Sequence, residues 1–151
     1  HGEAMAVFAS KALIDGTPLA DKHLSAERWA EIKHETVQGG SNIIKLRGRS
    51  SFQSPAYNAV KMIEAAMGGA KFTWPAGCYV NCDTCGYKNV MMAMPTVIDA
   101  TGVHFTKPEG TAEEMAELQA SYEHLCKMRD EIVSLGIVPP VDEWKKSNPN
   151  L

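Results

Sequence analysis

Helical stretches interleaved with antiparallel hairpins predict an α+β chain with a mainly antiparallel sheet and long packed helices. Two local patterns carry that expectation. Strand-like runs are joined by turn residues, and a capping box opens a long apolar stripe near the carboxyl end. The size agrees with a single domain over residues 1–151, because 151 residues with 44% apolar and 22% charged side chains lie near the averages for one globular core.

The first 20 residues read as extended. Met5, Val7 and Phe8 precede Lys11-Ala-Leu-Ile-Asp15-Gly16-Thr-Pro18, where Asp-Gly and Thr-Pro mark turns and predict a short hairpin. Ser25 is placed to cap a helix with Glu27 in its first turn, and Leu24, Trp29, Ile32, Thr36 and Val37 fall near a 3.6-residue stripe. Local rules end this helix at Gly39-Gly40. A bent continuation fits equally, since Ile43, Ile44 and Leu46 extend an apolar face and each glycine costs a helix only about 1 kcal/mol.

Ser54-Pro55 marks a second helix start, with the serine as cap and the proline at the first helical position. Ala56, Val60, Ile63 and Met67 share a face, and Gly68-Gly69 ends it. Phe72 to Tyr79 and Val90 to Ile98 are strand candidates, the second apolar on both faces and so expected to be buried on both. Asp99-Ala-Thr-Gly102 turns into a third strand, Val103 to Thr106. Thr111-Ala-Glu-Glu114 is a capping box, and Met115, Leu118, Tyr122, Leu125 and Ile132 stripe a helix of about seven turns up to Gly136. Val141 to Leu151 reads as a tail pinned by Trp144.

Composition excludes several classes of function. The net charge is −3 and no stretch gathers the basic residues that track phosphates, so no nucleic-acid partner is expected. The longest apolar run, Val90 to Ile98, is far below the ~18 residues of a membrane helix and contains Pro95, so no membrane association is expected. Four cysteines are too sparse for a secreted disulfide framework, and no signal segment opens the chain, which points to a reducing cytoplasm. The chain begins at His1 without a methionine and is expected to be a piece of a longer protein.

Cys78-Tyr-Val-Asn-Cys82-Asp-Thr-Cys85 has the spacing of three thiolate ligands for an iron–sulfur cluster or zinc, which keeps a small metal-binding module as a rival reading. The array sits in a hairpin corner before Gly86, no alternating strand–helix pattern precedes it, and cysteine also fills strands and turns as a small apolar residue. No metal is therefore expected. His23, His34, His104 and His124 form no ligand pair. No Gly-x-Gly-x-x-Gly and no Gly-Lys-Ser/Thr loop appears, so any dinucleotide must be held by another segment.

His1-Gly2-Glu3-Ala4-Met5, then Ile43-Ile-Lys-Leu-Arg-Gly-Arg-Ser-Ser-Phe-Gln-Ser-Pro-Ala56, the hairpins through Pro95-Thr-Val-Ile98 and the long last helix follow one another in a familiar order. Over residues 1 to about 135 the chain resembles the carboxyl-terminal half of the lactate and malate dehydrogenase family. It is most similar to bacterial malate dehydrogenases of the lactate-dehydrogenase-like branch. Glu3 stands where an aspartate is common, and Arg49 where close relatives often have glycine.

The resemblance implies an α+β fold and one bent helix from about Ala26 to Arg47. It implies His1 as the catalytic acid/base, Ser50 as a hydroxyl lining the substrate pocket and Pro55 as a cofactor neighbour. The cofactor would be NAD, the substrate a 2-hydroxy or 2-oxo dicarboxylic acid, and the assembly a homodimer or homotetramer. An imidazole with a reference pKa near ~6.5 suits the exchange of a hydroxyl proton near neutrality. The nucleotide domain, the arginine that grips the substrate carboxylate and the acid that orients the histidine would all lie upstream, so this piece alone is expected to be inactive. A lactate or other 2-hydroxy acid dehydrogenase is the alternative, and a noncatalytic helical interaction domain the third.

Overall fold

The computed structural model describes residues 4–19 and 24–149. They divide into two compact units, one running up to Ile63 and taking in Glu109–Leu118, the other formed by Glu64–Pro108 and the residues from Gln119 onward.

In the first unit Asp15 and Gly16 both take positive φ, 51° and 76°, the backbone that a two-residue hairpin needs. They join strand β1 (Leu13–Ile14) to β2 (Thr17–Pro18) as the turn residues foretell. Helix α1 spans Ala26–Arg47, with the Ser25 hydroxyl accepting from the Arg28 N–H at 3.2 Å. It passes unbroken through Gly39 and Gly40, so the range implied by the resemblance holds and the local stop does not. The expectation that Ile43, Ile44 and Leu46 have a buried face fails. They are 38%, 46% and 87% exposed, while Trp29, Ile32 and Val37 in the first half are half-buried.

Helix α2 (Gln53–Ala66) starts earlier than the Ser54-Pro55 pattern suggests. The Phe52 carbonyl accepts from the Ala56 N–H at 3.0 Å, which places Ser54 inside the first turn rather than at the cap. Pro55 is third in the helix, where its missing N–H is still among the donors that have no intrahelical partner.

The capping box at the start of α3 (Ala112–Ser134) forms as expected. The Glu114 carboxylate accepts from the Thr111 N–H at 2.9 Å, and the Thr111 hydroxyl accepts from the Glu114 N–H at 3.3 Å. The same carboxylate also accepts from the Ser10 N–H at 2.9 Å and the Ser10 hydroxyl, tying the amino-terminal segment to the helix start. Gly110 permits this approach, since a Cβ there would stand 2.6 Å from the Phe8 ring. Lys33 of α1 pairs with Glu117.

The second unit holds most of the buried apolar side chains. Strand β3 (Ala76–Cys82) pairs antiparallel with β4 (Tyr87–Met94), with an irregularity between Val80 and Cys82. Burial alternates along both strands, placing Ala76, Cys78, Val80, Val90, Met92 and Met94 inside. Val90 to Ile98 is therefore not one strand buried on both faces. Pro95, which has no N–H to donate, separates β4 from β5 (Thr96–Asp99), and Lys88, Met91 and Ala93 are exposed. Strand β5 pairs with β6 (Gly102–Phe105), close to the third strand expected. Phe72 belongs to no strand of its own but bridges Ile98 through two backbone hydrogen bonds, of 3.1 and 2.9 Å.

Tyr87, buried, lies 4.9 Å from the Tyr122 ring of α3. Arg129 of the same helix donates to the Lys88 and Asn89 carbonyls at 3.2 and 3.0 Å. A short helix α4 (Trp144–Ser147) follows, and Trp144 does pin the tail: its Nε1 donates to the Pro139 carbonyl at 2.7 Å and its ring lies 6.1 Å from that of Tyr79.

Candidate functional site

Of the three residues singled out as site residues, Ser50 lies on the segment that joins α1 to α2 and Pro55 in the first turn of α2, both in the first unit. The chain leaves α1 through Gly48, whose φ of 70° is left-handed and whose N–H donates to the Ile44 carbonyl at 2.8 Å. Such a cap turns the backbone sharply at little cost because glycine has no Cβ to clash. Ser50 follows outside any helix or strand, and both it and Pro55 are exposed. His1 lies outside the described residues.

Sequence reasoning passed over Phe52. Its ring is bracketed by the guanidinium groups of Arg47, 5.7 Å from the centroid, and Arg49, 4.8 Å away. Arg47 is fixed further by donating to Gln53 Oε1 at 3.0 Å. Cations within about 6 Å of an aromatic face are attracted by its quadrupole, so the Phe52 ring gathers two positive charges on the segment that carries Ser50. The alternation Arg47-x-Arg49-x-x-Phe52 was the available signal. Chemically, two guanidinium groups gathered on one exposed ring favour an anion, and a planar guanidinium suits a carboxylate.

The cysteine array takes a different form from a ligand set. Cys78 is buried on β3, its Sγ 3.2 Å from the Thr96 hydroxyl, while Cys82 and Cys85 form a disulfide across the β3–β4 turn. Among the described residues no group of three or more His, Cys, Asp or Glu side chains converges as a metal site would require.

At the β5–β6 turn Asp99 accepts from the Thr101 hydroxyl, from the Thr101 N–H at 2.9 Å and from Lys71 at 2.9 Å. The Thr101 hydroxyl and Lys71 hold its carboxyl well below the usual carboxylate range. His104 Nε2 lies 2.8 Å from the Thr101 hydroxyl. With Lys71 and Thr101 occupying the carboxylate, this is a turn lock. No described helix is long and apolar enough to cross a membrane.

The chain matches the lactate/malate dehydrogenase alpha/beta C-terminal domain over residues 1–135, and it belongs to that family. Among sequence relatives, a malate dehydrogenase of Pyrobaculum aerophilum is 33% identical over 141 residues, covering 93% of this chain and 43% of the relative. Among solved structures, malate dehydrogenase from Salinibacter ruber superposes with a TM-score of 0.79 at 27% identity, covering 89% of this chain and 44% of that one. Malate dehydrogenase from Aeropyrum pernix gives 0.77 at 27% identity over 87% and 44%. The chain spans less than half the length of the curated relatives it matches. The α+β fold read from hairpins and helices is the fold of this family.

Proposed function

We propose that this chain is the substrate-binding and catalytic half of an NAD-dependent malate dehydrogenase, which interconverts malate and oxaloacetate when joined to a nucleotide-binding half. The observation that carries the reading is the family match, which begins at His1 and runs in order to residue 135. The sequence relative and the two solved structures quoted above are malate dehydrogenases, which favours malate over lactate or another 2-hydroxy acid. A homodimer or homotetramer working in the cytoplasm, in the tricarboxylic acid cycle, completes the reading.

In this mechanism the His1 imidazole takes the proton of the substrate hydroxyl during oxidation and returns it to the carbonyl oxygen during reduction. The Ser50 hydroxyl lines the pocket, and the guanidinium groups of Arg47 and Arg49 on the same segment bias it toward a dicarboxylate. NAD, when bound, supplies the hydride acceptor. Ser50 and Pro55 are exposed and accessible to such a ligand, so this edge of the chain fits contact with one end of a dinucleotide. No glycine-rich phosphate loop is present in the sequence, so the remainder must be held by another segment. The acid that orients His1 is taken to lie on that segment as well, and positioning of this kind accounts for much of a catalyst's effect. The chain alone is accordingly inactive.

The test uses the protein that includes the upstream half. His1→Asn is expected to lower kcat by ~10²- to 10⁴-fold with an unchanged unfolding midpoint. Undiminished turnover in that variant would overturn the assignment of His1. Steady-state rates of the parent protein with malate and with lactate decide the substrate.

A further inference from the structure

We propose that Cys82 and Cys85 form a reversible dithiol/disulfide site, open to exchange with dithiol reductants, in which Cys82 is the sulfur that carries the negative charge when the bond opens. The two cysteines are separated by Asp83 and Thr84 and joined by a disulfide at the β3–β4 turn. Both are partly exposed, in contrast to buried Cys78. Attack by an external thiolate requires such access.

A structural staple is a poor account of this bond. Its ring encloses only two residues, and the turn is closed by other means. Cys82 is paired in register with Tyr87, the Gly86 N–H donates to the Cys82 carbonyl at 3.1 Å, and Lys88 pairs with Asp83 across the turn. Little chain freedom is left for the bond to remove, and that freedom is the main source of stabilisation in the loop-entropy account of disulfides.

The two sulfurs differ in surroundings. Cys82 Sγ lies 3.1 Å from the Cys85 N–H, which donates to it, and 3.3 Å from the Thr84 hydroxyl. Hydrogen bonds to a thiolate favour the charged form, and the better-stabilised thiolate is the better leaving group.

The reductant's first thiolate therefore attacks Cys85 Sγ, and the electron pair of the breaking S–S bond goes to Cys82 Sγ. A mixed disulfide with Cys85 results. The reductant's second thiolate then attacks its own sulfur in that bond and expels the Cys85 thiolate. Two electrons and two protons pass from the dithiol to the cysteine pair, and the reductant leaves as a disulfide. Oxidation runs the same steps in reverse.

The native 151-residue chain is equilibrated in glutathione buffers of graded thiol-to-disulfide ratio, quenched with acid, alkylated and mapped by peptide mass spectrometry. Cys82 and Cys85 are expected to lose labelling together as the buffer becomes oxidising, and to regain it together in dithiothreitol without unfolding. A bridge that resists excess dithiothreitol in the folded chain would overturn the proposal, as would two thiols that stay fully labelled in the most oxidising buffer. Iodoacetamide at neutral pH is then expected to label Cys82 in Cys85→Ser about tenfold faster than Cys85 in Cys82→Ser. Equal or reversed rates would overturn the assignment of the charge to Cys82.

Discussion

Helix α1 and the β3–β4 hairpin reach regular structure by opposite routes. Along the hairpin burial alternates from Ala76 to Val80 and from Val90 to Met94, and Val80 and Met94 are completely enclosed. None of the 22 residues of α1 is buried. It forms through local features: a serine cap, Glu27 in the first turn and Lys45 and Arg47 in the last, where each complements the helix dipole, and a left-handed glycine at its end. A strand pair stands by its packed face, whereas this helix adds only half-buried side chains such as Trp29, Ile32 and Val37 to its caps and backbone. Mutations that remove packing should therefore fall hard on the hairpin and lightly on the helix.

The largest effect is expected at Met94, which has no exposed surface. Met94→Ala removes a long side chain from a filled interior and should cost about 2–5 kcal/mol, because the cavity left behind closes only in part. Denaturant titration followed by tyrosine fluorescence, with Tyr87 and Tyr122 as reporters in the same unit, measures it. A loss below 1 kcal/mol would mean that the hairpin is not the stable element of the chain.

Next in size is Glu114, which gives the first unit its fixed point. Burial pushes this carboxyl up, but hydrogen bonds from the Ser10 side chain and from the backbone N–H groups of Ser10, Thr111 and Ala9 outweigh it, and its pKa stays below the ordinary value. Glu114→Ala strands several donors and should cost about 1–3 kcal/mol. The pH dependence follows from the direction of the shift. A carboxyl whose folded pKa is depressed contributes stability above its unfolded pKa, about 4.3, and loses it as pH falls through the lower folded value. The wild-type chain should lose stability on acidification below about pH 4 more steeply than Glu114→Gln. Parallel acid titrations by circular dichroism would refute the link.

The same contrast explains what the sequence revealed. Features closed within a few residues were legible: the Asp15-Gly16 turn, the reciprocal Thr111–Glu114 box and the ends of α3. Features decided by distant partners were not. Nothing local tells that Met91 and Ala93 face outward, since an apolar run reads alike whether one face or both are covered. The start of α2 slipped because Ser54-Pro55 is a good helix start by itself, while the Phe52 carbonyl had already opened the helix. Ser50 and Pro55 were singled out only through resemblance to a family. An exposed serine and a first-turn proline carry no chemical mark of their own, and the guanidinium bracket around Phe52 emerges only when the chain is folded.

The smallest effects belong to α1 and sharpen the contrast from the other side. A Cβ added at Gly39 or Gly40 meets nothing within 4 Å, and alanine exceeds glycine in helix propensity by about 1 kcal/mol. Gly39→Ala and Gly40→Ala should each raise the stability of the isolated chain by up to that amount. Leu46→Ser, at a side chain 87% exposed, should change it by less than about 0.5 kcal/mol. The informative comparison is between this chain alone and the longer protein proposed above, in which it is joined to a nucleotide-binding half. If Leu46→Ser is neutral in the first and costly in the second, the exposed end of α1 is covered by something outside this chain, and the missing burial along Ile43, Ile44 and Leu46 is supplied there. If it is neutral in both, α1 stands on its caps and backbone in the complete protein as well, and the contrast with the hairpin is a property of the whole molecule.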